Sequence, residues 1–512
     1  MKRIVFAVSV AVLVAIPLNG FSFFSQRQHF IQDVSHISED FDPLEDIVVT
    51  VEIKEIRSLE MPYLGKTLDK IDRFSDPDFY VKVFINGEEF TSPVWKNQKY
   101  VKPNWSASLN VPDDVEFVNI TIQLWDADPL GDKMCDIDNN YDRYPKSYDL
   151  DLVYSIKTGH WYGDDYISLP DDWEPDLSGY GRANGCDDNS IYQNNRDCEI
   201  WFDIYQNDYD GDGIPYWVET NVYHTDPMKD NRGEDADGDG VPIEWEWKWG
   251  HYFAWNWWSG RVEDVWIYDP FKWENHSSID EDKDGLSNYE EYLTSQWGSD
   301  PFRRDLFIEL DQMKAGPDGE PASLLPNGSK EILRTVYDKH NIVYHLDDGC
   351  MGGGEMIPFA KEISGRALRE TYYDKYFLHY GENQWRRGVF HYALVVYDAG
   401  FNGYNIRRDE FQISSKYIEK KCRQLFFVDR DIVYASVFMH ETGHSLAIWN
   451  PGVDDPDTMY PWKFDYWKYR PYKSCMNYGY TYILVDYSDG SHGMNDFDDW
   501  HDLDLTYFDY SS

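Results

Sequence analysis

Basic residues are scarce in this 512-residue chain: 47 Lys and Arg stand against 93 Asp and Glu, giving a formal net charge of -46 and a pI near 4.5. Nucleic acid is excluded as a partner, because phosphate contact needs clustered Lys and Arg. A chain this acidic holds cations or lives in salt. Cysteine is limited to six, with Cys135, Cys186 and Cys198 in the N-terminal half and Cys350, Cys422 and Cys475 in the C-terminal part. Pairing within each part strands one thiol, so the expectation is an interdomain disulfide or two free thiols. Long apolar runs are missing except at the start, where Lys2-Arg3 precedes an apolar stretch from Ile4 to Leu18. That stretch is short for a membrane span and reads as a secretory signal peptide, assigned to residues 1–25. Export agrees with the even cysteine number and with Asn-X-Ser/Thr acceptors at Asn104, Asn119, Asn275 and Asn327. Gly352-Gly353-Gly354 lacks the Lys-Ser/Thr that completes a phosphate loop and reads as a flexible surface loop.

What is present begins with His440-Glu441-Thr442-Gly443-His444, inside a segment from Asp431 to Ile448 whose Val433, Val437, Phe438 and Leu446 are spaced for the apolar face of a helix. Residues four apart on a helix share a face, so His440 and His444 can offer imidazole nitrogens to one zinc ion. Glu441 then stands beside the metal, where a general base takes a proton from water. About thirty residues past His444 comes Ser474-Cys475-Met476-Asn477-Tyr478, a separation that lets the chain leave the helix and return beneath the metal.

Together these segments resemble the metzincin zinc proteases, in which HExxHxxGxxH is followed by a turn carrying a Met under the zinc. The resemblance implies that His440 and His444 are ligands, Glu441 the base, Met476 the turn residue, and Tyr478 a stabiliser of the oxyanion. The family's glycine falls on Ala447 and its third histidine on Asn450, whose neutral amide oxygen is a weak zinc ligand. Asp454, Asp455, His492 and His501 are alternatives for the third position.

Between residues 207 and 302 three loops repeat the form D-x-D-x-D-G with Glu at the twelfth position: Asp208, Asp210, Asp212, Glu219; Asp235, Asp237, Asp239, Glu246; and Asp280, Asp282, Asp284, Glu291. Carboxylates at positions 1, 3, 5 and 12, with a turn glycine at 6, are calcium-loop chemistry of the EF-hand kind. Each loop is followed by an Asp-Pro pair, Asp226-Pro227, Asp269-Pro270 and Asp300-Pro301, which resembles thrombospondin type 3 repeats. A tryptophan-rich insertion between Glu246 and Asp269 is expected to pack against a neighbouring domain.

Residues 46–206 alternate apolar and polar positions over Ile47 to Ile53, Phe79 to Ile85, Val118 to Trp125 and Glu199 to Tyr205, which predicts a β-sandwich. Asp72 with Asp78, and Asp126 with Asp128, cluster at two strand ends. That placement resembles a C2 domain and implies calcium bound between two loops, with membrane or cell-surface contact. Residues 303–512 are expected to form an α/β catalytic domain of metzincin type, with strands at Asp305 to Leu310, Ile342 to His345 and Tyr392 to Tyr397 and a helix from Ser329 to Lys339.

The expectation is thus a multidomain, secreted, calcium-stabilised zinc metalloendopeptidase acting on extracellular proteins or peptides. The competing expectation is a catalytically degenerate, calcium-dependent binding or adhesion protein at the cell surface, kept open by Asn450.

Overall fold

The structure, a computed structural model, describes residues 46–508 apart from 113, 139–146, 166–180, 187–194, 257, 259, 451 and 454. The expected signal peptide and Asp454 lie outside the described residues. Among the described residues no helix is long and apolar enough to cross a membrane.

Strict alternation gives strands with one dry face. In Phe117–Asp126, Val118, Ile120, Ile122 and Leu124 are buried while the residues between them face outward. This strand lies inside an antiparallel sheet ordered Trp161–Gly163, Leu150–Ser155, Phe117–Asp126, Phe79–Ile85, Glu88–Thr91, with Lys133–Cys135 also paired to Phe117–Asp126. A second antiparallel sheet runs Arg182–Asn184, Cys198–Tyr205, Ile47–Ser58, and both Tyr100–Val101 and Trp105–Val111 pair with Ile47–Ser58. Val49, Val51, Val81, Val83, Ile122 and Leu152 belong to the one core that these sheets share.

The C-terminal part follows the other strand rule, near-continuous apolar runs for a sheet covered on both faces. Phe390–Val396 is buried at every position. Strands Val343–Asp347, Asp305–Met313, Phe390–Val396 and Glu410–Ser414 lie parallel in that order, and Gly403–Arg407 closes the edge antiparallel. Helices Asn327–Asp338 and Arg430–Ser445 pack one face through Leu333, Val336, Val437 and Phe438 against Leu306, Ile308 and Val395. The other face is covered by Leu368, Tyr373 and Phe377.

Between the two parts, each loop leads into a short helix: Tyr216–Val218, Ile243–Trp249 and Asn288–Thr294. The tryptophan-rich insertion is a hairpin, His251–Asn256 with Arg261–Trp266. It leans on the sandwich: Phe253 lies 4.8 Å from Tyr162, and His251 4.6 Å from His160, between ring centroids. Two expectations change. Gly353 is buried rather than on a flexible surface loop, because its N–H donates to Asp347 Oδ2 at 2.8 Å and a side chain there would strike the Glu309 carboxylate. All six cysteines are free thiols, although Cys135 and Cys198 touch in the sandwich core, where burial and that contact push the Cys198 thiol up.

The sandwich and the C-terminal part meet at the end of helix Asn327–Asp338. The Asp338 carboxylate pairs with Arg57, which also donates to Glu199 at 3.1 Å, and the Asp338 carbonyl accepts from Asn184 at 2.6 Å and Arg182 at 3.2 Å. Next to it Lys339 pairs with Asp69 and donates to Cys186 Sγ at 3.2 Å, with Asp197 at 3.8 Å. Removing one partner of such a buried group leaves the other charges unpaired. Lys339→Met is therefore expected to cost about 3–5 kcal/mol in denaturant unfolding; a midpoint matching the parent would show that this seam contributes nothing.

Candidate metal centres

Helix Arg430–Ser445 starts at Asp429, whose side chain accepts from the Asp431 N–H, and buries every residue from Val433 to Ser445. Its end is a left-handed turn. Ile448 N–H donates back to Gly443 O at 2.9 Å, and Ala447 adopts φ 63°. This is the closure that a glycine commonly makes, formed here with a methyl group in the left-handed region.

The turn sets one of the two imidazoles. His444 Nδ1 lies 3.1 Å from Ile448 O, and His440 Nδ1 lies 2.9 Å from Cys475 O. Each carbonyl takes the Nδ1 proton and leaves Nε2 with the lone pair, the arrangement that fixes a histidine as a metal ligand. The rings are 4.8 Å apart, and burial drives their pKa values down to about 4 for His440 and about 3 for His444, so both are neutral at pH 7. This donor pair fits zinc.

The segment beneath the helix is built for close approach. Met476 packs under Gly443, where a Cβ would lie 2.5 Å from its Sδ. The turn is tied by Met476 N–H to Ser474 Oγ at 3.1 Å, Asn477 N–H to Ser474 O at 3.1 Å, and Thr481 Oγ1 to Cys475 O at 2.7 Å. Tyr478 follows, its ring 5.5 Å from that of His440. Glu441 lies against the edge strand, since a Cβ on Gly403 would come within 2.6 Å of its Oε1. Sequence reasoning overlooked Tyr482, whose phenol is pushed up by burial and by Tyr478 and Glu441 beside it and accepts from Asn402 at 2.8 Å. No local sequence signal marked it, because residues 478–482 form turns rather than a helix.

The third-ligand candidates are dispersed. The Asn450 amide nitrogen donates to Tyr472 OH at 3.0 Å and to Asp499 Oδ1 at 2.7 Å, so its role toward a metal rests on the oxygen alone. Asp455 caps the turn Pro456–Met459 by accepting from Asp457 N–H. His492 sits with Asp489 and Asp496, and His501 is exposed on the final helix Asp499–Asp502. Trp449, not foreseen, stacks on His444 at 4.2 Å.

The three repeat loops share one hydrogen-bond register. Gly213, Gly240 and Gly285 donate to Asp208, Asp235 and Asp280 at 3.0, 3.0 and 3.2 Å, with φ between 98° and 104°. The fifth-position carboxylates of Asp212, Asp239 and Asp284 each accept from two residues on and, through the other oxygen, from Asn231, Glu274 and Asp305 at 3.1, 3.2 and 2.7 Å. Those three residues sit five past Asp226, Asp269 and Asp300. The constant offset from each Asp-Pro pair marks them, yet sequence reasoning passed them over.

The twelfth-position glutamates carry the electrostatic message. Glu219, Glu246 and Glu291 are 0–1% exposed, and both carboxylate oxygens of Glu246 and Glu291 lack a hydrogen-bond donor among the described residues. Burial, reinforced by neighbouring aspartates, raises Glu219 and Glu246 to about 7 and pushes Glu291 well up. Desolvated oxygens without donors suit a hard cation.

The sandwich cluster differs from expectation. Asp72, Asp126 and Asp128 converge, but Asp78 instead accepts from Asn97 N–H at 2.6 Å while its own N–H donates to Asp126. The Lys133 ammonium occupies the cluster, paired with Asp128 and 3.3 Å from Asp72, because strand pairing sets Lys133 opposite Asp126.

No protein-family model and no curated protein sequence matches the chain. Solved structures are similar over about a third of it. The human GIVD cytosolic phospholipase A2 in complex with methyl gamma-linolenyl fluorophosphonate shares 14% identity over 31% of this chain and 17% of that one, with a TM-score of 0.18. A C2 domain protein from Ramazzottius varieornatus shares 12% over 31% and 87%, TM-score 0.19. The calcium-bound pair of C2 domains of Extended-Synaptotagmin 2 shares 13% over 32% and 46%, TM-score 0.19. The chain spans only 17% of the phospholipase's length, and scores this low leave the β-sheet-rich N-terminal region to be described by its own strand pairing.

Two outcomes follow. Ala447→Gly relieves the left-handed turn and is expected to stabilise the protein by about 1 kcal/mol; a lowered melting temperature would contradict the cap. With calcium chelated, Glu219 and Glu246 keep their protons to about pH 7 when folded but only to about 4.5 when unfolded. Their contribution is therefore full below pH 4.5 and lost as pH rises through 7. Melts of chelated protein should show that decline, and restoring divalent cations should abolish it, calcium sufficing for the Glu219 part.

Proposed function

We propose that the chain is a secreted, calcium-stabilised zinc metalloendopeptidase that hydrolyses peptide bonds of extracellular proteins or peptides. The observation that carries this reading is the pair His440 and His444, each with Nδ1 held by a backbone carbonyl, one of which belongs to the Met476 turn. Zinc bound at the two Nε2 atoms, when present, supplies a Lewis acid that polarises water and the scissile carbonyl.

The chain's own residues do the rest. Glu441 takes the proton from the attacking water and returns it to the leaving amine. Its contact with Gly403 keeps the carboxylate beside the edge strand, whose free side offers backbone groups to an extended substrate. Tyr478, next to His440, is placed to donate to the oxygen that gains charge as the carbonyl becomes tetrahedral. Divalent cations in the three loops, calcium among them, neutralise the buried glutamates and hold the middle segment folded.

Membrane or cell-surface contact through the sandwich belongs to the same reading. It is supported by Phe74 and Leu130, 91% and 101% exposed, on the loops that carry Asp72 and Asp128.

The test is cleavage of a mixed peptide library by the parent and by Glu441→Ala, with zinc and calcium present. Loss of cutting by at least 100-fold, on the order expected for a general base, with an unchanged melting temperature supports the assignment. Equal turnover by both proteins, or none by either, rejects it in favour of a calcium-dependent binding protein.

A further inference from the structure

The three loops are not chemically equal. Seven residues past the Asp of each Asp-Pro pair stand Gly233, His276 and Phe307. Only the second loop therefore brings an imidazole into its own carboxylate cluster at that position. His276 is buried, and ligand atoms of Asp239, Glu246, Glu274 and His276 all lie within 4.8 Å of one another.

We infer that the second loop is a mixed nitrogen and oxygen site for a borderline divalent metal of the zinc and cobalt kind, with His276 Nε2 and carboxylate oxygens of Asp239, Glu246 and Glu274 as ligands, while the first and third loops take calcium. The inference rests on reading the repeats as metal loops and adds two ligands and a different metal class to one of them.

Distances and orphaned atoms carry it. His276 Nε2 is 3.2 Å from Asp239 Oδ2 and 3.6 Å from Glu246 Oε1. Tetrahedral ligands at about 2.0–2.1 Å from zinc are about 3.3 Å apart, so these spacings are those of a coordination edge. The carboxylates attract the imidazole, yet His276 Nε2 and both Glu246 oxygens lack an aligned hydrogen-bond partner among the described residues despite their burial. The Asn288 side-chain nitrogen lies 3.2 Å from His276 Nδ1. Metal binding at Nε2 requires that amide to turn over, which brings Asn288 Oδ1, without a partner among the described residues, onto Nδ1–H and leaves Nε2 the lone pair.

The contrast within the chain supports the selectivity. The first loop offers oxygen alone, with Asn231 in the place of Glu274. In the third, the nearby His345 Nε2 is committed to Asp305 Oδ1 at 2.5 Å. Imidazole suits zinc and its neighbours, whereas calcium takes oxygen.

The experiment is a cobalt titration of the full-length protein in calcium buffer, comparing the parent with His276→Gln and with His444→Gln. His276→Gln is expected to bind one cobalt equivalent fewer than the parent and to lose that site's ligand-field absorption, while His444→Gln loses a different equivalent. Cobalt uptake by His276→Gln equal to the parent's overturns the inference. Should that variant not fold, crystals of the unmodified protein soaked in cobalt decide the matter: an anomalous peak between His276 and Glu246 is expected, and calcium or no ion there overturns it. Calcium stabilisation of His276→Gln reports the other two loops separately, so its absence would sink the calcium reading while leaving the cobalt result to stand or fall alone.

Discussion

A carboxylate taken out of water must meet positive charge or keep its proton, and in a chain with twice as many acids as bases that constraint shapes every junction. At the seam between the sandwich and helix Asn327–Asp338 the positive charge is covalent. Arg57, Arg182 and Lys339 reach Glu199, Asp338 and Asp69. Burial alone would raise Glu199, but Arg182 and Arg57 hold it well below the usual carboxylate range. The acidic cluster of the sandwich uses the same device, with Lys133 among Asp72, Asp126 and Asp128.

At the third repeat loop no Lys or Arg forms an ion pair with the buried carboxylates among the described residues, although Arg303 partly offsets the rise of Asp305. Glu291, Asp282, Asp284 and Asp305 are buried together, with burial and mutual repulsion pushing all four carboxylates up. Asp305 is also the first residue of the strand Asp305–Met313, which pairs on both sides within the C-terminal sheet. Charge neutralisation at the third loop and the start of the C-terminal sheet are thus the same structural event. In the second loop His276 brings a nitrogen where the other repeats have glycine or phenylalanine, and the site chemistry changes with it.

At the histidine pair the controlling atoms are backbone carbonyls. Ile448 O exists where His444 needs it because the helix closes through Ala447, and Cys475 O reaches His440 because the Met476 turn fits into the space left by Gly443. Ala447 holds the left-handed turn although a glycine would adopt it more readily, and Asn450 beyond it is drawn toward Tyr472 and Asp499. The arm that follows the helix is therefore organised by the C-terminal segment.

Much of this was legible beforehand, for local reasons. Period-two alternation placed Phe79–Ile85 at its observed bounds, apolar runs marked the buried strands near Asp305 and Tyr392, and the D-x-D-x-D-G spacing located all three loops. Such signals depend on residues a few positions apart, which chain geometry brings together whatever the rest of the protein does. The sequence by itself determined the strongly patterned strands such as Phe79–Ile85 and Asp305–Met313, the helix carrying His440, Glu441 and His444, and the carboxylates of each loop. Only the tertiary structure decided that Lys133 fills the sandwich cluster, that Asn231, Glu274 and Asp305 complete the fifth-position contacts, that His276 enters the second loop, and that Tyr482 stands by Glu441. Each of these joins residues that meet only when strands pair or loops close, and burial then selects which charges must be answered.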